Sequence, residues 1–351
     1  MVLGVVLAGA VVGVVLALLV GQGNPGNAGV CGACFLRDWA GALGLHGAGN
    51  CRYVRPEVAG VVLGALLAAA WRGEVRARGG GSPMGKLFLG AWVSIGALVF
   101  LGCPFRMLQR LGGGDLNAVV GLAGLVAGIS LALVLTRRGC DQGRAAPLPL
   151  AAGLLLPVGV AAVLVASLAG APGVLVSDAP PGSVRAPWAA SLGGALLVGA
   201  LLQRTRFCTL GALRDALFYR DRHLLTIAAA IVVAYGVASA LGGRFKLGLE
   251  GQPIAHTDAV WNFLAMLLTG LAASLAGGCP VRQMVLAGEG DTGAATALVG
   301  MALGAALAHS FALVSSGAGP TPAGKVAVVV GVVACLALAL ASRPTDGGGD
   351  A

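Results

Sequence analysis

Ten runs of apolar residues, each bounded by charges or by Gly and Pro clusters, lie near residues 2–20, 57–71, 86–102, 117–136, 148–169, 188–203, 223–241, 259–276, 293–314 and 324–341. Several reach the roughly 18 residues that a helix needs to cross a hydrocarbon core. The pattern predicts an all-α polytopic membrane protein. The first run has no basic residue ahead of it, and it has a partner in the second half of the chain. It is therefore expected to be a retained helix rather than a cleaved secretory signal.

Composition strengthens this picture. Of 351 residues 57% are apolar, 11% are charged and 59 are glycine, with a mean hydropathy of +0.89. Soluble domains carry about a quarter charged residues, so a soluble enzyme is excluded. The net charge of +9 does not point to nucleic acid, because the basic residues fall between the apolar runs, where lipid headgroups and insertion topology account for them. With a cytoplasmic amino terminus, 14 of the 23 Lys and Arg residues lie in loops on that side, among them Arg72, Arg137, Arg144, Arg204 and Arg343. The poorest opposite loop, around Pro180 and Pro181, has only Arg185. Both termini are thus expected in the cytoplasm, with the protein in the cytoplasmic (inner) membrane.

An internal repeat runs through the chain. Gly102-Cys103-Pro104-Phe105-Arg106, followed by Gly112-Gly113-Gly114-Asp115, recurs 176 residues later as Gly278-Cys279-Pro280-Val281-Arg282 and Gly288-Glu289-Gly290-Asp291. A second match, displaced by 177 residues, relates Cys31 and Arg37-Asp38 to Cys208 and Arg214-Asp215. Gly and Leu matches are easily accidental, whereas Cys, Arg and Asp recurring at fixed spacing are not. Five spans separate the two unit starts, and an odd number reverses direction, so an inverted repeat is expected. The chain divides into a first repeat over 1–147, a linking helix and external loop over 148–185, and a second, inverted repeat over 186–351.

The repeated motifs carry the candidate chemistry. Cys-Pro ahead of a short amphipathic stretch fits a helix start, and the following Gly-rich run turns the chain toward Asp115 or Asp291, either of which can cap the next span. The expected structure is a short re-entrant helix. Irregular backbone at membrane depth belongs where it is buried in protein or lines a wet cavity, and half-helix amino ends favour an anion. Arg37, Arg106, Arg214 and Arg282 recur at matched places. An arginine at that depth costs about 2.5–3.5 kcal/mol on insertion scales, so each either bridges to an acid or helix end or guides an anion.

Cysteine is also a small buried hydrophobe, and that role suits Cys51, Cys140 and Cys335, which have no repeat partner. Cys31, Cys103, Cys208 and Cys279 read as functional. Cys34 completes the one CxxC, and its counterpart, Gly211, removes the fourth thiol a metal site would use. A redox disulfide between Cys31 and Cys34 stays open. Neutral thiols in an apolar throat offer weak S–H donors and polarizable sulfur to a soft chalcogen anion. The four histidines share no metal spacing, and no nucleotide fingerprint or hydrolase pattern stands out, so no cofactor, metal or enzymatic activity is expected.

The segments from Asn24-Pro25-Gly26-Asn27 through Cys31-Gly-Ala-Cys34 and Arg37-Asp38 to His46, then Arg55-Pro56-Glu57, Gly102-Cys103-Pro104 and Gly112-Gly-Gly-Asp115-Leu-Asn117, resemble the YeeE/YedE sulfur-transport family, and within it the YedE-related selenium-transporter branch. The resemblance implies an all-helical, hourglass-shaped protein that passes an anion such as thiosulfate between cysteines at a central constriction. Carried over by motif, those are Cys31, Cys103, Cys208 and Cys279. It implies import of a selenium or sulfur oxyanion or related small anion. A cytoplasmic sulfur or selenium carrier protein is a further candidate partner. The alternative is a membrane thiol-redox or selenium-handling protein that moves no solute.

Overall fold

The computed structural model describes residues 2–140 and 145–342; Arg144 and Arg343, counted above for orientation, lie outside them. The first half comprises α1 (Val2–Gly21), α2 (Gly32–Ala42), α3 (Pro56–Trp71), α4 (Pro83–Phe100), α5 (Pro104–Gly112), α6 (Asn117–Arg137) and α7 (Leu150–Leu168). The second comprises α8 (Trp188–Thr205), α9 (Thr209–Phe218), α10 (His223–Leu241), α11 (Ala259–Ala276), α12 (Pro280–Gly288), α13 (Thr292–Ser310) and α14 (Pro322–Ala341). The only strands among the described residues, β1 (Arg78–Gly80) and β2 (Ala145–Pro147), pair antiparallel as loop staples.

All ten apolar runs are helices. Eight helical segments are long and apolar enough to cross a membrane by length and composition, two of them including the short helix that follows. The other two runs are α3, at 16 residues, and α8, whose last turn carries Gln203 and Arg204. The molecule is an all-α, multi-pass membrane protein.

The halves are interwoven. The main seams pair α3 with α8, α1 with α10, α4 with α13 and α6 with α11. Exchanging α1–α6 for α8–α13 maps the first pair onto the second and the third onto the fourth. α7 and α14 break this exchange, since α7 lies on α3 whereas α14 lies on α11 and α4. Bare backbone makes the seams tight: a Cβ on Gly124 would collide with the Phe263 carbonyl, and one on Gly300 with that of Leu87. Such small-residue crossings drive helix association where lipid removes the hydrophobic incentive.

Two straps reproduce the same exchange. The loop after α3 crosses to the α12–α13 turn, where Arg76 and Arg78 donate backbone N–H groups to Glu289 and Gly290 and the Arg78 guanidinium pairs with Glu289 and Asp291. The loop after α10 crosses to the α5–α6 turn, where Lys246 and Gly248 donate to Gly113 and Gly114. Gly114 (φ +91°) and Gly290 (φ +101°) hold matched left-handed turns that suit glycine. Asp291 caps α13 through the Ala294 N–H as expected, whereas Asp115 takes the Asn117 N–H and the buried Arg110.

Candidate functional site

Each of the four short helices begins on a cysteine. Cys31, Cys103, Cys208 and Cys279 are the N-caps of α2, α5, α9 and α12, all in extended conformation. Proline at the first position of α5 and α12 has no N–H to leave unsatisfied and a φ already suited to the helix. Sulfur takes up part of the amide surplus at these ends: the Cys34 N–H points at Cys31 Sγ at 3.4 Å, the Gly32 N–H at Cys103 Sγ at 3.3 Å and the Arg282 N–H at Cys279 Sγ at 3.4 Å.

The thiols gather in pairs. The Cys31 thiol lies beside those of Cys103 and Cys34, and Cys208 beside Cys279. The pairs are neighbours across the two halves. Gly32 packs against Pro280 so closely that a Cβ there would collide with the proline ring, and the rings of Phe105 and Phe207 meet edge to face at 6.3 Å. These four residues form a septum between the pairs. Four helix amino ends converge near it, each a partial positive charge.

Cavities approach the septum from both halves, and they differ in size. One of about 400 Å³ is lined by Cys208, Gly211, Arg214, Arg282, Arg206 and Ser274 among others. At its rim Glu74 takes the Gln203 amide at 2.9 Å and Arg204 and Arg206 at 3.4 Å. Those contacts, the amide first, hold its carboxyl below the usual carboxylate range. The other cavity, about 20 Å³, is lined by Cys34, Arg106, Arg37, Pro25, Pro181 and Ile254 among others.

The arginines take separate roles. Arg37 pairs with Asp38 at 2.7 Å, which also receives Arg55 at 2.7 Å, all three buried. Arg214 pairs with Asp215 at the surface. Arg106, 1% exposed, pairs with no acid among the described residues: its guanidinium donates to the carbonyls of Asn27, Leu101, Gly26 and Pro253 and to Cys34 Sγ. Arg282 stands 3.7 Å from Glu289, and its Nη1 has no hydrogen-bond partner among the described residues.

Residues 204–343, which contain the second cysteine pair and the larger cavity, match the family model described as sulphur transport. This part of the chain is similar to the sulphur-transport family. The motifs carrying the resemblance in the first half correspond to it through the 176- and 177-residue displacements. No curated protein matches the chain. The match and the membrane-spanning helices together support a sulfur-related membrane transporter.

Several participants lie outside the cysteine motifs. Gln109 accepts from the Gly29 N–H at 2.8 Å and donates to the Val30 carbonyl at 2.7 Å, fixing the loop that presents Cys31. Tyr235 donates to Asn27 at 3.1 Å, steadying a residue held at φ +52°. A Gln immediately before a basic residue, Arg110, on a short helix was the available signal; Tyr235 gave none. Cys51 and Cys335 are buried in packing, and His46 stacks on His309 at 4.6 Å rather than joining the thiols.

Proposed function

We propose that the protein imports a sulfur- or selenium-containing anion across the cytoplasmic membrane, the solute passing from Cys34, Cys31 and Cys103 to Cys279 and Cys208. The supporting observation is the placement of four cysteines at four converging helix starts, paired across a thin septum. Neutral S–H groups and backbone amides replace hydration at the narrow point, and polarizable sulfur favours a soft chalcogen atom. Arg106 on one side and Arg282 with Arg214 on the other attract charge. A pathway of several weak sites releases what it binds, so modest affinity at each is expected.

In this reading residues 1–147 and 186–351 are the inverted repeats and 148–185 links them. The face with the larger cavity is cytoplasmic, as are the termini, and there a carrier protein would receive the product. Uptake of labelled thiosulfate and selenite into proteoliposomes tests the relay. Cys103→Ala and Cys279→Ala should each lower uptake at least about tenfold, the loss of roughly one hydrogen bond to a charged group. Full uptake in both variants would end the proposal.

The neighbouring Cys31 and Cys34 thiols at a helix start, with the Cys34 N–H donating to Cys31 Sγ, favour a second reading, a thiol-redox protein that moves no solute. It requires a reductant-sensitive Cys31–Cys34 disulfide, measured by differential alkylation, together with absent uptake.

A further inference from the structure

Arg106 is a buried cation whose five N–H groups all meet neutral acceptors: Nε the Asn27 carbonyl at 3.0 Å, Nη1 the Leu101 carbonyl at 2.6 Å and Cys34 Sγ at 3.9 Å, Nη2 the Gly26 carbonyl at 3.0 Å and the Pro253 carbonyl at 3.5 Å. Its repeat partner Arg282 has Glu289 nearby; the first half has Gly113 at the matching place. A buried charge without a counter-charge is costly. The two longest of the five contacts are those to Cys34 and Pro253; Cys34 lines the 20 Å³ cavity together with Ile254, the chain neighbour of Pro253.

Pro253 belongs to a segment that the first half lacks. The α10–α11 connection spans residues 242–258, six residues longer than its counterpart over 72–82. Its flanks are anchored. Gln252 donates to the carbonyls of Lys246 and Gly248, and His256 bonds the Val99 carbonyl. Between them, residues 253–254 form a single turn, and no backbone hydrogen bond ties residues 253–255 to another element among the described residues. Ile254 sits at φ +50°, a region that disfavours β-branched residues, so the closed arrangement is strained at its tip.

We propose that residues 253–255 are a substrate-released lid over an anion seat at Arg106. An entering anion takes the Nη donors now given to the Pro253 carbonyl and the Cys34 thiol, and the tip swings off the mouth. The anion gains a charge-assisted contact only in the open state, and that differential affinity shifts the population. The unlidded, larger cavity beside Arg282 is the other end of the same path. The proposal rests on the anion-transport reading and adds what controls entry.

The test is the rate at which a membrane-impermeant maleimide, added from the face bearing residues 242–258, labels Cys34 in proteoliposomes, read by peptide mass spectrometry, with thiosulfate as the probe anion. The parent should label slowly and accelerate about tenfold with saturating thiosulfate, the effect of trading a neutral acceptor for a charged one. Arg106→Gln should label fast with or without thiosulfate. Ile254→Ala, which trims the lid without touching the guanidinium, should raise the basal rate and guards against misfolding of the first variant. Equal labelling in the parent and Ile254→Ala, indifferent to thiosulfate, would overturn the lid even if the parent takes up thiosulfate. Fast labelling of the variants in a protein that takes up no thiosulfate would uphold the lid and overturn the transport reading.

Discussion

Asp38, fully buried, receives two guanidinium groups, and each arginine has its own anchorage. Arg55 also donates to the carbonyls of Val184 and Pro181 and lies 4.8 Å over the Phe35 ring. Removing one member of a buried ion cluster costs about 3–5 kcal/mol, so Asp38→Asn should lower thermal stability severely, with Tm by tryptophan fluorescence as the check. His46 makes a second prediction. Its Nδ1 accepts the Ala48 N–H and its Nε2 meets the Arg37 carbonyl, an arrangement only neutral imidazole satisfies, and burial pushes its pKa down. The unfolded chain, with histidine near the ordinary value of about 6.5, then binds the proton more readily than the folded one. The contribution is complete above about pH 6.5 and is lost as pH falls toward the folded value. His46→Gln should therefore flatten the decline of Tm between pH 7 and 5. At this scale the sequence made the Arg37–Asp38 and Arg214–Asp215 bridges legible because the partners are adjacent. Arg55 and Gln109 were hidden, because their partners come from folding rather than spacing.

Helix seams obey a different rule, set by what is missing. Gly124 faces the Phe263 backbone and Gly300 that of Leu87, so Gly124→Leu or Gly300→Leu must push α6 from α11 or α4 from α13. Overpacking costs about 1–3 kcal/mol where side chains give way, and more where the obstacle is backbone; neither variant should yield monodisperse protein in size-exclusion chromatography. The ten apolar runs were readable because lipid demands uniform apolarity over a whole helix. The helices of α5 and α12 were readable from Cys-Pro, but α2 and α9, opening on Gly32 and Thr209, carry no proline and a mixed composition. The staple between β1 and β2 left no signal, since three residues cannot show a period.

Seen whole, the protein is asymmetric about its septum: a wide chamber meets Cys208 on one side, and a narrow one stops at Cys34 on the other. Impermeant thiol reagents should reach Cys208 readily from the wide side, and thiosulfate should protect it. Arg282→Gln should weaken that protection about tenfold, consistent with one lost charged hydrogen bond; unchanged protection would remove Arg282 from the path. The repeat was legible because paired Cys, Arg and Asp keep their displacement, while the unequal chambers are lined by residues from several separate segments, which no motif announces. The interwoven seams carry one more consequence. Since α1, α3, α4 and α6 each lie chiefly along a helix from the other half, neither half owns a complete interior, and a polypeptide ending after α7 could bury its faces only against a second copy inserted with opposite polarity. Severing the chain between α6 and α7 and producing both fragments together should restore a working complex, whereas either fragment made alone should be cleared by membrane proteases.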